Sequence, residues 1–190
     1  MIDFDGITDT IVIVAAKAVG QQLSTIGTNQ SPSIVREYGS SDKPPYPFLT
    51  YDVRHVTSQS HRPFHEGFNE DGHWIVTYQE RLAIKFCAKG DRSKEIISTL
   101  YGEIKLPSTT DLIRHRLPTF NIQNLMPIKS SPMVAGTQYV EEHSFIINAT
   151  ILNSVHDKFV ACIDSAEVTG ELYTNDDLTL TFTTTVPTTT

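Results

Sequence analysis

Cysteine is scarce in this chain, and there is no excess of positive charge. The 190 residues include two cysteines, and Lys and Arg total 15 against 22 Asp and Glu, which gives a formal charge of −7. Cys87 and Cys162 each stand within an apolar stretch, which favours two buried free thiols over a single disulfide between them. The negative charge argues against extensive nucleic-acid binding, because such binding needs cations that neutralise phosphates.

Long hydrophobic runs are missing as well. The nearest candidate, residues 11–19 (IVIVAAKAV), is too short to cross a bilayer and contains Lys17. It follows Asp3, Asp5 and Asp9, whereas a secretory signal begins with basic residues. We therefore expect neither a signal peptide nor a membrane partner, and we interpret the stretch as a buried helix with acidic residues in its first turn.

The chain does contain clear periodicity of two kinds. Apolar residues at helical spacing predict three helices, the second with Asp91 as its N-cap and the third after a capping-box-like Ser108-Thr-Thr-Asp111. Alternating apolar and polar residues predict strands, and in one of them Tyr139, Phe145 and Ile147 share the inner face. The predicted helices are residues 5–23, 92–106 and 109–116, and the predicted strands are residues 48–56, 73–88, 120–125, 138–153 and 163–173.

Polar or glycine-bearing segments separate these elements. We expect loops at residues 57–73 and 130–136 and a turn at residues 156–158. The first loop is long enough to be functional. The Thr-rich tail, residues 178–190, is expected to be extended or disordered unless a neighbouring molecule receives it.

The stretch KPPYPFLTYDV, residues 43–53, joins three prolines to a predicted strand. Proline fixes φ, removes a backbone donor and biases the preceding residue toward extended conformations, so residues 43–47 should be a stiff extended lead-in. Prolines at this position indicate a strand that begins at a sheet edge or rim.

Runs of strands with helices gathered between them predict an α+β fold, a mostly antiparallel sheet with helices packed on one side. A chain of 190 residues is large enough to bury a sizeable core in one domain. We expect that domain over residues 1–177, followed by a Thr-rich C-terminal extension over residues 178–190. We find no internal repeat.

The seven histidines raise the question of a metal site. His61 and His65 are four residues apart, with Glu66 and His73 nearby, but Pro63 lies between them and the stretch has no helical period. We therefore expect loop histidines rather than metal ligands, and no cofactor.

Enzyme signatures are missing too, since no G-x-S-x-G elbow, glycine-rich phosphate loop or H-E-x-x-H motif occurs. Glu141 and His143 share a strand face, which we interpret as a polar strand end near solvent. Glu80 interrupts the inner face of its strand, and we expect it at the rim or beside a cation such as Arg54. The basic run at residues 114–116 is expected to be exposed or interface-facing rather than a phosphate or carboxylate site. The residues predict no enzyme.

Six segments follow one another in an order and spacing typical of a known family. They are an N-terminal helix, PYPFLTYDV at residues 45–53, WIVTYQERLAIKF at 74–86, a helix ending in IKLPS at 104–108, YVEEHSFIINATI at 139–151 and CIDSAEV at 162–168. In these features residues 1–172 resemble the neck terminator proteins of tailed bacteriophages, also called tail terminator or tail completion proteins. The chain departs from the family pattern in the histidine-rich loop, in RHRLP after the short helix and in the Thr-rich tail.

The resemblance implies an α+β structural subunit without enzymatic activity, located at the neck of the virion after synthesis in the host cytoplasm. Such proteins form a homohexameric ring on the last ring of the tail tube, stop tube growth and dock the tail to the neck connector or stopper protein. In contractile tails the sheath protein also ends there. Genomic DNA passes through the lumen without specific binding, and an acidic chain suits such a channel.

A ring of identical subunits needs two different contact patches on each copy. From polarity and length we place these patches in residues 57–73, 117–138 and 178–190, and we expect the proline segment to stiffen a strand start at a subunit boundary. The residues predicted to contribute to interfaces are Tyr46, Phe48, His61, Phe64, Phe68, Arg114, Arg116, Met126, Met133 and Phe182.

Three other interpretations remain open. The chain could be another virion joint protein, such as a head-completion, tail-tube or baseplate subunit. It could be a small metal-dependent enzyme that uses His61, His65 and His73. It could also be a host-surface binding module that exposes Phe64 and Phe68. A tube protein would polymerise by itself, an enzyme would hold stoichiometric metal, and a binding module would be a monomer or trimer.

Overall fold

The computed structural model describes residues 3–27, 30–38, 44–56, 63–70, 73–135, 138–161, 165–174 and 177–187. The chain divides into two compact units, the first made of Met1–Pro63 and Tyr78–Asn153 and the second of Phe64–Thr77 and Ser154–Thr190. Helices combine with a mixed, mostly antiparallel sheet, which confirms the predicted α+β class. The single-domain boundary after residue 177 stays a prediction.

The described residues include three α-helices, α1 at Phe4–Val19, α2 at Ser93–Ile104 and α3 at Pro107–Arg116. The Asp3 carboxylate accepts a hydrogen bond of 2.8 Å from the Gly6 amide and so caps α1. A 3-10 turn, Gly20–Gln22, follows α1. The predicted helix 5–23 is therefore confirmed except in its last turn.

The described strands are numbered in chain order. They are β1 Thr25–Ile26, β2 Ser31–Pro32, β3 Ile34–Arg36, β4 Phe48–Val56, β5 His65–Phe68, β6 His73–Lys89, β7 Phe120–Leu125, β8 Lys129–Ser130, β9 Met133–Ala135, β10 Gln138–Val140, β11 Glu142–Ala161, β12 Ser165–Thr174 and β13 Asp177–Pro187. The bounds of β4 and β7 are those predicted.

The principal sheet has the strand order β3-β4-β6-β11-β7, with β5 also paired to β6 and β8 also paired to β11. β3 runs parallel to β4, whereas β4 is antiparallel to β6 and β11 is antiparallel to β7. Two smaller antiparallel pairs, β9 with β10 and β1 with β2, complete the first unit.

The three helices cover one face of the principal sheet, as predicted. Buried apolar residues of all three helices form one cluster with the inward residues of β4, β6, β7 and β11. At its centre the Phe86 ring stacks on Phe145 at a centroid distance of 5.7 Å, and Tyr101 of α2 meets Phe145 edge to face at 5.3 Å. The apolar residues at helical spacing in α2 face the sheet, since Ile96, Ile97, Leu100 and Ile104 are all buried.

The starts of α2 and α3 differ from the prediction. The residue before α2 is Arg92, whose φ of 63° is left-handed, and no side chain caps the helix, so Asp91 is not the N-cap. The tight turn that leaves β6 at Gly90, where the Ser93 amide bonds the Gly90 carbonyl, shifts the helix start by one residue. α3 begins with Pro107 at its first position after Leu106, so the predicted capping box is also wrong.

Segments predicted as loops or turns contain strands. β5 lies within residues 57–73, β9 lies within residues 130–136, β8 ends at the first residue of that range, and β11 continues through residues 156–158. The cause is pairing with another strand of the chain, which overrides local polarity. β5, for example, pairs with β6 from His65↔Thr77 to Phe68↔Trp74.

In the second unit, β12 and β13 form an antiparallel hairpin with a register from Ser165↔Pro187 to Thr174↔Asp177. Most of the tail therefore pairs, within residues 177–187, with a strand of its own chain. β5 and the first residues of β6 also belong to this unit, where the rings of Phe68 and Trp74 meet edge to face at 4.9 Å.

Candidate functional site

Charged side chains line the face of the principal sheet that the helices do not cover. Lys85 Nζ lies 2.8 Å from Glu37 Oε1, and Lys89 Nζ lies 3.5 Å from Glu142 Oε2, with none of the four side chains more than 30% exposed. Burial lowers the pKa of Lys85, but the hydrogen bond and charge of Glu37 outweigh it and leave that pKa raised. These pairs are suited to holding strands in register, because a partly buried charge needs its partner.

Cys87 lies between the two lysines on β6 and is fully buried. Burial, and after it the neighbouring Glu142 carboxylate, raise the pKa of the Cys87 thiol to about 12. A thiol that stays protonated is a poor nucleophile and metal ligand. The prediction of a buried free thiol is confirmed for Cys87, whereas Cys162 lies outside the described residues.

Glu80 has a different partner from the predicted one. Its Oε2 lies 2.7 Å from His55 Nε2, while Arg54 contacts Asp52. The register pairs His55 with Leu82, so His55 and Glu80 share the helix-covered side of the sheet, whereas Arg54 points to the opposite side. The predicted contact between Glu80 and Arg54 is therefore wrong.

A serine and a histidine meet between α2 and β11, where Ser93 Oγ lies 2.9 Å from His143 Nδ1. A nucleophilic serine must be reachable by its substrate. Ser93 is fully buried at the first position of α2, so the contact links α2 to β11 rather than opening on a site. Glu141, predicted to share a face with His143, lies between β10 and β11 and is exposed.

Within the part of the chain that the structure describes, no group of three or more His, Cys, Asp or Glu could hold a metal ion. His65 lies on β5 and His73 begins β6, whereas His61 is outside the described residues. The same residues contain no helix long and apolar enough to cross a membrane.

A hollow of about 440 Å³ opens on the charged side of the sheet, toward β7. Its polar lining consists of Gln79, Arg81, Gln123, Asn124, Asn148 and Thr150. Two hydrogen bonds join these side chains: Asn148 Nδ2 donates to the Asn124 amide oxygen at 2.7 Å, and Gln123 Nε2 donates to the Thr150 hydroxyl at 3.1 Å. With no carboxylate or imidazole in its lining, the hollow is a polar contact surface rather than an acid–base site.

β9 and β10 form a two-stranded projection, which we call the arm (Met133–Ala135 and Gln138–Val140). Val134 and Tyr139 are directly opposite in its register and are 68% and 69% exposed. The arm begins where the Glu141 carbonyl accepts a hydrogen bond of 2.9 Å from the amide of Gly90, the residue after β6. Tyr139 was predicted to face inward, and this is wrong because β10 pairs with β9 alone among the described strands.

A second hollow, which we call the edge groove, has a volume of about 300 Å³ and runs between β7 and the α2–α3 region. Ile104, Ile113 and Phe120 form its apolar floor and are each less than 10% exposed. Lys105 and Arg114 stand beside it. β7 ends the strand order of the sheet, so among the described strands it has β11 as neighbour on one side and none on the other.

The ten residues predicted to contribute to interfaces lie in different environments. Tyr46, Phe64, Phe68, Met126, Arg114 and Arg116 are exposed. Phe48 is 2% exposed, and its ring stacks on Tyr46 at 5.2 Å. Met133 and Phe182 lie on β9 and β13, while His61 is outside the described residues. Their interface roles stay predictions, although Phe48 lies in the interior of its own chain.

The sequence patterns missed Val134, Tyr139 and Lys105 as surface residues of interest. A signal for the arm was present in MVAGTQYV, where a glycine separates two short β-prone stretches in the manner of a hairpin. Lys105 carried no such signal, because its position beside β7 depends on how α2 packs.

Comparison with known proteins agrees with the resemblance seen in the sequence. The model of a family described as phage neck terminator protein matches residues 15–185, from within α1 to within β13. A comparison with curated proteins gives no match.

Proposed function

Because the chain belongs to the phage neck terminator proteins, a family of structural proteins of the virion neck, we propose that it acts as a ring subunit. Six copies close into a ring on the last ring of the tail tube, stop tube growth and join the tail to the neck connector or stopper protein. In a contractile tail, the sheath ends at the same ring. The family match over residues 15–185 is the observation that carries the proposal.

The chemistry of the described residues is consistent with a structural role. The charged groups beneath the surface are paired with each other, the Cys87 thiol is protonated, and Ser93 is buried. The exposed features are instead contact surfaces, namely the arm, the edge groove and the amide-lined hollow. Subunits that work by fitting together need surfaces of this kind.

The net charge of −7 supports passage of DNA through the ring. An acidic surface repels phosphates and offers few cations for counterion release, so DNA should slide without being held. We expect no measurable retention of duplex DNA by the purified protein at physiological salt. Tight binding at that salt would contradict an inert channel.

Electron microscopy and native mass spectrometry test the proposal directly. We expect a single closed ring of six subunits and, in purified virions, density for the protein at the head–tail joint. Long polymers of the protein alone would instead indicate a tail-tube subunit. Absence of the protein from finished virions would overturn the proposal, and a place in the virion other than the neck would assign it to another joint.

A further inference from the structure

We propose that neighbouring subunits are joined by the arm of one copy lying in the edge groove of the next. The inference rests on the proposed ring function and names the two surfaces through which the ring closes. A closed ring of identical copies requires two different, complementary surfaces on every copy. The arm and the edge groove are such a pair, one projecting and one recessed, and both belong to the first unit.

The arm presents an apolar face that nothing in the described chain covers. Val134 and Tyr139 are paired across the two strands, so their side chains project from the same face. At 68% and 69% exposed, they are among the most exposed large apolar side chains of the described residues. A two-stranded ribbon is only marginally stable by itself in water, so an exposed apolar pair at its centre favours a partner.

The edge groove offers an apolar floor beside a strand edge that is open to pairing. β7 (FNIQNL) has neither proline nor a charged residue, which are the usual means of preventing contact along an edge. Pro127 and Lys129 disfavour strand pairing along the next stretch of the chain, so the part of the edge that can still pair coincides with the groove. A strand of another molecule can therefore extend the sheet there and bury apolar side chains on Ile104 and Phe120.

Charge selects the arm of a second copy as the occupant. Arg114 stands at the groove and forms no ion pair with any residue that the structure describes. Glu141, exposed at the base of the arm, likewise has no cationic partner there. Opposite charges beside two apolar patches fix both partner and register.

Charge exchange tests the contact. Arg114→Glu and Glu141→Arg should each raise the dissociation constant of the ring about tenfold, and combining both substitutions in one chain should restore assembly. Lys17→Glu is the charge-matched control, because Lys17 is an exposed cation of α1 that does not line the groove. Equal loss from Lys17→Glu, or failure of the double variant to recover while circular dichroism shows it folded, would overturn the inference.

The aromatic side chain gives a second measure. Tyr139→Ala should raise the same dissociation constant about thirtyfold, as expected for an aromatic anchor at the centre of an interface. Tyr139→Phe, which keeps the ring, should have less than a tenth of that effect. An unchanged ring in Tyr139→Ala would contradict the role of the arm.

Disulfide trapping locates the two surfaces and keeps this inference separate from the proposed function. Val134→Cys and Asn121→Cys are combined in a Cys162→Ser background, and oxidation is carried out on the purified protein and on virions of a phage carrying the substitutions. We expect a series of disulfide-linked oligomers of the subunit, up to the number of copies in the ring. The pair Val134→Cys and Arg36→Cys, the latter at the other sheet edge, should give none. A wild-type ring without such oligomers in the cysteine variant would overturn the arm contact alone. A cross-link to another virion protein would also overturn it, and absence of any wild-type ring or neck density would overturn the proposed function.

Discussion

The two faces of the principal sheet are buried by different chemistry. On the face beneath the helices, Leu82, Ile84 and Phe86 of β6 lie in a continuous apolar cluster. On the opposite face the alternate residues of the same strand, Lys85, Cys87 and Lys89, lie among carboxylates. The apolar face supplies the driving force for folding, which is not directional. The charged face adds little net energy but requires matched partners, so it acts chiefly on register and specificity.

The largest difference between the faces should appear on removing a core ring. Phe86→Ala deletes a side chain that stacks on Phe145, and it should lower the free energy of unfolding by about 3–5 kcal/mol. Cys87→Ala, the neighbouring buried position on the other face, should cost about 1 kcal/mol because far fewer atoms are removed. Urea denaturation followed by circular dichroism measures both. Equal losses would show that the faces are not energetically distinct.

Breaking one charged pair should have an intermediate effect that depends on pH. Lys85→Met leaves the Glu37 carboxylate without its cation, and it should cost about 1–2 kcal/mol at neutral pH. Burial lowers the pKa of Lys85 but Glu37 leaves it raised above 10.5, so the stability from the pair is complete below that pH and is lost as the pH rises further. The difference from the wild type should therefore shrink at high pH. A pH-independent cost would mean that Lys85 contributes by packing rather than by charge.

The Cys87 thiol allows solvent access to the charged face to be measured chemically. Because its pKa is raised from 9.0 to about 12, the unfolded chain ionises first as the pH rises. The free energy of unfolding that this thiol contributes is fully present below about pH 9 and should decline between pH 9 and 12. A Cys87→Ala variant should lack this decline. In a Cys162→Ser background, a thiol reagent at pH 8 should react with the folded protein at the rate of unfolding. Rapid reaction would show that the face is open to solvent.

The smallest effect concerns the start of the helix layer. Arg92 has a left-handed φ of 63°, a conformation that costs free energy for any residue but glycine. Arg92→Gly should therefore raise the denaturation midpoint slightly, although the exposed ion pair with Glu95 is lost. Lys94→Gly, inside the first turn of α2, is the control and should lower the midpoint. A lower midpoint in both variants would contradict strain at Arg92.

The apolar face could be predicted from the sequence, whereas most of the charged face could not. Alternation along residues 48–56 and 120–125 predicted β4 and β7 to the residue, because Leu49 and Phe120 bury side chains in step with the strand period. Thr50 and Asp52 occupy polar positions of the same pattern, which is typical of a solvent-facing side, yet both are buried. A polar side chain indicates an exposed position only when that side of the strand faces water.

The candidate surfaces were less predictable, because they depend on pairings between distant segments. Arg114 was predicted to be exposed or interface-facing, and its place beside the edge groove agrees with that expectation. Tyr139 was predicted to be inside, since its parity matched Phe145 and nothing local showed that Glu141 interrupts the strand. The partner of Glu80 was missed for a similar reason, because it depends on the register between β4 and β6.

Gly90 restricts how this molecule can vary. Its φ is 99°, and a methyl group at its α-carbon would come within 2.9 Å of the Tyr46 side chain, while its amide holds the Glu141 carbonyl. Three stretches far apart along the chain, the proline lead-in, the end of β6 and the base of the arm, thus converge on one residue, whose α-carbon has no room for a side chain. Sequence changes that alter the shape of the arm must therefore keep this glycine, or must displace the Tyr46 ring and the hydrogen bond to Glu141 at the same time.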